Sequence, residues 1–159
     1  MAVEIERKFL VIDDSWRTDS EGRPIAGVPY RQGYLTTANE TTVRVRLQGS
    51  EARLTIKGKT RGLSRAEYEY SIPADDANEM LSNLCQKPLI EKVRYRREEC
   101  GLIWEIDEFA GDNSGLIVAE VELESEDQHV SLPQWVGKEV SADDRYYNVN
   151  LVKHPYTSW

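Results

Sequence analysis

The stretch Val3-Glu4-Ile5-Glu6-Arg7-Lys8-Phe9 opens this chain of 159 residues. Three of its charged side chains, Glu4, Glu6 and Lys8, recur at a spacing of two, and the apolar Val3, Ile5 and Phe9 occupy alternate positions. Successive side chains of a β-strand point to opposite faces of the sheet. The pattern therefore predicts a strand whose one face carries two carboxylates and an amine.

The same alternation predicts strands along most of the chain. It recurs within residues 43–47, 53–57, 67–70, 93–96, 104–107 and 120–123. Tyr30–Thr36 is a predicted eighth strand, although Arg31 and Gly33 make its alternation less regular. Turn signals at residues 48–50, 58–62 and 99–101 predict hairpins, so we expect antiparallel neighbours arranged as a meander.

Three segments have helical rather than strand patterns. Residues 73–87 begin with proline and two acids and place apolar side chains on one face. Residues 141–153 predict a C-terminal helix of about three turns, with Ser141 as N-cap and Asp144 in the capping-box position. Residues 13–20 predict a short helical turn.

Composition limits the class of protein. With 40% hydrophobic residues, the chain can form a core, and we expect one domain over residues 1–159. A formal net charge of −8 disfavours binding to duplex nucleic acid. No apolar run approaches a membrane span of ~20 residues, so we expect a cytoplasmic protein without membrane contact. Cys85 and Cys100 show no metal or disulfide spacing and are predicted to be buried thiols.

The charged faces segregate by sign from strand to strand. The basic pairs are Arg44 with Arg46, Arg53 with Lys57, and Arg94 with Arg96; the acidic pairs are Glu67 with Glu69, Glu105 with Asp107, and Glu120 with Glu122. An ordinary antiparallel sheet solvates such a face. Like charges two residues apart lie only ~6.5–7 Å from each other, so they need compensation from oppositely charged strands or from bound ions.

Closure of the strands into a barrel would turn the charged faces inward. Eight antiparallel strands with helices packed outside would then form a mainly β fold around a polar tunnel. Arginine and lysine at several heights suit an elongated polyanion, and carboxylates without histidine or cysteine suit hard cations such as Mg²⁺ or Mn²⁺. The two histidines, His129 and His154, are predicted to be surface residues.

Glu4-Ile5-Glu6-Arg7-Lys8 resembles the E-x-E-x-K signature of the CYTH superfamily, the triphosphate tunnel metalloenzymes. The later motifs TVRVR, LTIKG, RAEYEYSI, KVRYRR, WEIDEF and AEVELE follow in the order of that family's tunnel-lining strands, and GKEVSADDRYYNVNL resembles its closing segment. The resemblance spans residues 3–151 and is strongest to the short bacterial tripolyphosphatase-like members.

The resemblance implies a role for each matching position. It implies metal binding by Glu4, Glu6, Glu120 and Glu122, with Glu69 and Asp107 as further candidates. It implies phosphate binding by Lys8, Arg44, Arg46, Lys57, Arg94 and Arg96, with Arg53, Lys92, Lys138 and Arg145 as additional candidates. Glu4, Glu6, Lys8, Glu120 and Glu122 would be the catalytic set.

The implied activity is metal-dependent hydrolysis of a small triphosphate, foremost inorganic tripolyphosphate to pyrophosphate and phosphate. Three alternatives stay open at this stage. One is a class IV adenylate cyclase that converts ATP to cyclic AMP and pyrophosphate, another is hydrolysis of thiamine or nucleoside triphosphates, and the third is a polyphosphate-binding module without turnover. The oligomeric state has no clear signal in the sequence.

Overall fold

The computed structural model describes residues 3–159. The strands are β1 (Val3–Val11), β2 (Val28–Thr36), β3 (Thr42–Gln48), β4 (Glu51–Lys57), β5 (Ser64–Ile72), β6 (Ile90–Glu99), β7 (Leu102–Phe109), β8 (Ile117–Glu122) and β9 (Val136–Glu139). The α-helices are α1 (Ala74–Asn83) and α2 (Asn148–Lys153). Short 3₁₀ segments lie at Ser15–Arg17, Ala38–Glu40, Gly111–Asn113, Asp144–Tyr146 and Tyr156–Ser158.

The first eight strands close into an antiparallel barrel. Around it they run β1, β5, β4, β3, β2, β6, β7 and β8, and β8 pairs with β1 again. The ninth strand, β9, pairs with the end of β1 outside this circle. The predicted closed barrel of eight antiparallel strands is confirmed, as is the strand at Tyr30–Thr36.

The order of the strands differs from a simple meander. Strands β2 to β5 and strands β6 to β8 each follow one another, but β2 pairs with β6, and β1 lies between β5 and β8. Helix α1 makes the crossover between the two groups. Gly33 of β2 allows its close approach, because a Cβ there would lie 2.7 Å from the Cβ of Cys85. The irregularity that Gly33 introduces into the sequence pattern is therefore a packing requirement.

Apolar side chains on the outside of the barrel form most of the core. Helix α1 packs on β3 and β4, where Val45 and Leu81 are fully buried. The outer face of β7 and β8 is covered by Trp16 from the 3₁₀ segment Ser15–Arg17 and by Trp135 from the loop before β9. The expectation that helices pack outside the barrel is confirmed by α1, and the short helical turn predicted within residues 13–20 is present at Ser15–Arg17.

Helix α2 closes one end of the barrel. At that end the inward positions change from charged to apolar, as Leu10 follows Lys8 on β1 and Phe109 follows Asp107 on β7. Leu151 and Val152 of α2 are buried against this apolar ring. The residues after the helix hold it there, since Asn113 accepts a hydrogen bond from the backbone N–H of Tyr156.

Two local predictions were wrong. The C-terminal helix begins at Asn148 rather than near Ser141, whose hydroxyl instead accepts a hydrogen bond from the backbone N–H of Lys8. Cys85 is buried as predicted, but Cys100 is exposed, because it occupies the tight β6–β7 turn with a φ of 54°. Within residues 3–159, no helix is long and apolar enough to cross a membrane.

Candidate active site

All eight barrel strands contribute polar side chains to one internal cavity of about 360 Å³. Arg44 and Arg46 are more than nine-tenths buried in its wall, whereas Arg96 and Glu122 are exposed at its margin. The period-two alternation explains the lining, because every second side chain of a strand faces the interior. The cavity is therefore polar on all sides except where α2 covers its end.

The structure brings most of the predicted site residues together. Those in the cavity wall are Glu4, Glu6, Lys8, Arg44, Arg46, Arg53, Lys57, Glu69, Lys92, Arg94, Arg96, Glu120 and Glu122. Lys138 and Arg145 are not part of this wall; Arg145 lies on the surface, with its guanidinium 2.7 Å from Asp143. Asp107 lies behind the wall and is only 1% exposed.

A cluster of buried cations forms the deep part of the cavity. The guanidinium groups of Arg46 and Arg94 lie on the ring of Tyr30, with their Cζ atoms 4.9 and 5.1 Å from its centre. Burial, with the nearby charges of Arg44 and Arg94, lowers the pKa of Arg46 to about 9. A cluster that disfavours its own positive charge in this way is a strong binding site for an anion.

Asp107 compensates part of this positive charge. Its carboxylate accepts hydrogen bonds from Arg94 Nε and Nη2 at 2.7 and 2.8 Å and from Lys92 Nζ at 2.7 Å. Burial alone would raise the pKa of Asp107, but the two cations outweigh it and hold that pKa far below its usual range. Burial, together with Arg94 and Arg46, lowers the pKa of Lys92 to about 7. Asp107 thus acts as an internal counter-ion in this structure.

Lys8 is anchored between the strands and the C-terminal segment. Its Nζ lies 3.5 Å from Glu120, donates a hydrogen bond to the backbone oxygen of Tyr146 and approaches the ring of Tyr147. Burial would lower the pKa of Lys8, but Glu120 and Glu6 raise it. Lys8 therefore carries its charge even though it is buried.

Glu6 and Glu122 form the least compensated acidic part of the cavity. They lie opposite each other on β1 and β8, and neither carboxylate has a hydrogen-bond or ion-pair partner within residues 3–159. Burial, with the negative charges of Glu120 and Glu4, raises the pKa of Glu6 to about 8. Burial and neighbouring glutamates also raise the pKa of Glu122. An excess of carboxylate charge without imidazole or thiolate fits a hard divalent cation.

The other two predicted metal ligands already have cationic partners. Glu4 accepts a hydrogen bond from Lys57 at 2.6 Å, and Glu120 lies between Lys8 and Arg94 at 3.5 and 3.8 Å. Within the described part of the chain, no three acidic, histidine or cysteine side chains are arranged closely enough to ligate a metal ion. To bind a metal ion, the carboxylates of Glu4 and Glu120 would therefore have to leave their lysine and arginine partners.

Several residues that form the cavity wall or lie behind it were not predicted as site residues. Gln32 is fully buried in β2, and Tyr147 and Asn148 belong to the C-terminal segment. The alternation of Tyr30, Gln32 and Tyr34 could have placed Gln32 on the inner face. No strand pattern points to Asn148, because it reaches the cavity through the position of α2.

Comparison with known proteins identifies relatives of this chain. Residues 2–155 match the model of the CYTH domain family. An inorganic triphosphatase of Acetivibrio thermocellus is 47% identical over 100% of this chain and 99% of its own length. An inorganic triphosphatase of Nitrosomonas europaea is 44% identical over 93% of this chain and 95% of its own length.

A solved structure agrees with these sequence matches. The crystal structure of an inorganic triphosphatase is 39% identical, covers 96% of this chain and 95% of that chain, and superposes with a TM-score of 0.65. The chain belongs to the CYTH domain family, and the curated relatives that match nearly all of it are named inorganic triphosphatases.

Proposed function

We propose that this protein is a single-domain, metal-dependent hydrolase that cleaves inorganic tripolyphosphate to pyrophosphate and phosphate. The observation that carries the proposal is the division of charge in the cavity, with buried arginines on one side and uncompensated glutamates on the other. A linear polyanion that brings divalent cations with it matches both sides of the cavity, since its phosphates suit the arginines and its cations suit the glutamates. Relatives with 44–47% identity named inorganic triphosphatases support the choice of substrate.

The basic residues would bind the phosphate groups and stabilise the charge that accumulates during transfer. Arg44, Arg46 and Arg94 can each offer N–H groups to phosphate oxygens, while Lys8 and Lys92 act as point charges. In phosphoryl transfer, charge develops on the transferred group and on the leaving oxygen. Cationic side chains that are held in place by burial stabilise this negative charge without having to move during the reaction.

Glu4, Glu6, Glu120 and Glu122 would hold the divalent cation, and we propose Mg²⁺ or Mn²⁺ because carboxylate oxygens accept both. When bound, such a cation polarises phosphate oxygens and makes a water molecule more acidic. Glu69 is better described as a partner of Arg53 and Thr55, to which it is hydrogen-bonded. The two free cysteines suit a reducing compartment, and we infer a cytoplasmic location.

The test measures phosphate, pyrophosphate and cyclic AMP released from tripolyphosphate, ATP and thiamine triphosphate, each with Mg²⁺, Mn²⁺ or EDTA. We expect metal-dependent phosphate release from tripolyphosphate far above that from the other substrates. Cyclic AMP with pyrophosphate from ATP would replace the proposal with a cyclase. Tight binding of tripolyphosphate without turnover under every metal condition would make the protein a binding module.

A further inference from the structure

Gln32 occupies the middle of β2 and is completely buried, with both ends of its amide hydrogen-bonded. Its Oε1 accepts a hydrogen bond from Arg46 Nε at 2.8 Å, and its Nε2 donates to Asn148 Oδ1 at 2.9 Å. Asn148 is the first residue of α2. The amide of Gln32 therefore joins a cavity arginine to the helix that closes the barrel.

Asn148 makes a second connection through the same oxygen. Its Oδ1 also accepts a hydrogen bond from Lys92 Nζ at 2.9 Å. Lys92 donates another hydrogen bond to Asp107, so in its protonated form one of its three N–H groups is left for a ligand in the cavity. One oxygen atom of α2 thus fixes the directions of two side chains from β2 and β6.

We propose that Gln32 and Asn148 are positioning residues that orient Arg46 and Lys92 toward the phosphate chain. This inference rests on the proposed function. Arg46 uses its Nε for Gln32, and its terminal Nη1 and Nη2 groups have no hydrogen-bond partner within residues 3–159. Those two groups are the fork that binds two phosphate oxygens. An arginine held by its Nε keeps this fork in one direction.

The uncharged amide of Gln32 is essential to this role. Arg94 is held by the carboxylate of Asp107, which fixes the guanidinium and neutralises it at the same time. Gln32 fixes Arg46 and leaves its positive charge uncompensated. A carboxylate at position 32 would keep the hydrogen bond to Arg46 but cancel the charge that attracts phosphate.

The first experiment compares Gln32→Glu with Gln48→Glu. Gln48 lies two residues beyond Arg46 on the same face of β3 and also lines the cavity, so its substitution adds the same charge without bonding to Arg46. Tripolyphosphate binding is measured by calorimetry in metal-free buffer. We expect Gln32→Glu to weaken binding about tenfold more than Gln48→Glu, because only Gln32→Glu neutralises Arg46 and so weakens a charge-assisted hydrogen bond from Arg46 to phosphate. Equal losses in the two variants would overturn the proposal.

The second experiment removes the connection without adding charge. We expect Gln32→Met and Asn148→Ala each to weaken binding about tenfold. The double variant should lose less than the product of the two factors, because both changes break the same network. Wild-type affinity in both single variants would show that the two residues do not position Arg46. A loss of affinity in the double variant equal to the product of the two single losses would show that they act independently. If Gln32→Met fails to fold, binding can still be measured with Asn148→Ala, because that substitution lies at the start of a helix.

A third measurement does not depend on the substrate. The Arg46 Nε–H is buried and hydrogen-bonded, so its NMR signal should exchange slowly with water in the wild type and rapidly in Gln32→Met. Slow exchange in both proteins would contradict the positioning role. If exchange changes as expected but the wild type does not bind tripolyphosphate, the network stands and the proposed substrate fails.

Discussion

Glu6 lies directly opposite Glu122 across the β1–β8 pair, on the inner face of the barrel. Opposite residues of antiparallel strands have Cα atoms only ~4.5–5.5 Å apart, so two carboxylates in these positions repel each other. The chain folds despite this repulsion, and under the proposed function a divalent cation relieves it.

Replacement of Glu6 by glutamine should stabilise the metal-free protein and abolish metal-dependent turnover. Above the pKa of about 8 that burial gives Glu6, removal of a like charge opposite another is expected to raise the free energy of unfolding by about 0.2–1 kcal/mol. Urea denaturation in EDTA measures the first effect, and phosphate release measures the second. Glu139→Gln is the matched control, because Glu139 is paired with Arg7 and its loss should not stabilise the protein. Full activity in Glu6→Gln would remove Glu6 from the metal site.

Replacement of Asp107 by asparagine should destabilise the barrel strongly. The change leaves Arg94 and Lys92 buried side by side without their counter-ion, and breaking a buried ion pair typically costs about 3–5 kcal/mol. Urea denaturation of the variant measures this loss. Asp143→Asn, which breaks a pair with the exposed Arg145, should change stability little. Equal stability of the two variants would mean that the buried network contributes nothing to the fold.

The same carboxylate predicts a dependence of stability on pH. Its folded pKa lies below the value of ~3.9 in an unfolded chain, so the unfolded state binds more protons as the solution is acidified. The contribution of Asp107 is therefore complete above about pH 4 and is lost as the pH falls further. Denaturation at several pH values should show a steeper acid loss in the wild type than in Asp107→Asn. Parallel pH profiles would contradict this assignment.

Replacement of Arg44 by alanine should weaken substrate binding. Arg44 lines the cavity, and the loss of a charge-assisted hydrogen bond corresponds to roughly a tenfold or greater loss of affinity. Steady-state kinetics with tripolyphosphate measures KM and kcat separately. Arg31→Ala is the control, because Arg31 is not in the cavity wall and pairs with Glu91. Wild-type kinetics in Arg44→Ala would exclude Arg44 from the phosphate site.

Tripolyphosphate should raise the melting temperature of the protein in metal-free buffer. A ligand that binds only the folded state stabilises it by about 2.7 kcal/mol at a concentration of one hundred times Kd. A thermal melt monitored by circular dichroism measures the shift, and sodium sulfate at equal ionic strength controls for salt. An unchanged melting temperature at saturating tripolyphosphate would be inconsistent with a preformed site.

The strand faces were predictable because alternation is a local property of the chain. Once the barrel closes, the parity of a position decides whether Glu120 faces the cavity and Val121 faces the outer core. The order of the strands was not predictable in this way. It depends on the path of α1, which makes β2 a neighbour of β6 instead of leaving β5 beside β6.

The residues that sequence reasoning missed contribute through tertiary contacts. Asn148 has meaning for the cavity only because α2 folds over the barrel end, and Gln32 is an uncharged residue among charged ones. Arg145 shows the converse case, since the resemblance suggested a role in phosphate binding. In the structure a neighbouring acid, Asp143, and the ring of Trp159 hold it on the surface.

The closure of one barrel end by α2 affects the traffic of molecules during turnover. Leu151 and Val152 cover that end, and within residues 3–159 the exposed Arg96 marks the opposite end, which is open to substrate and products. Under the proposed function, the product nearer this end would be released first, and the product that lies against the buried arginines would be released second. Under the proposed function, pyrophosphate that is retained against the buried arginines would occupy the site of the incoming triphosphate and so slow turnover.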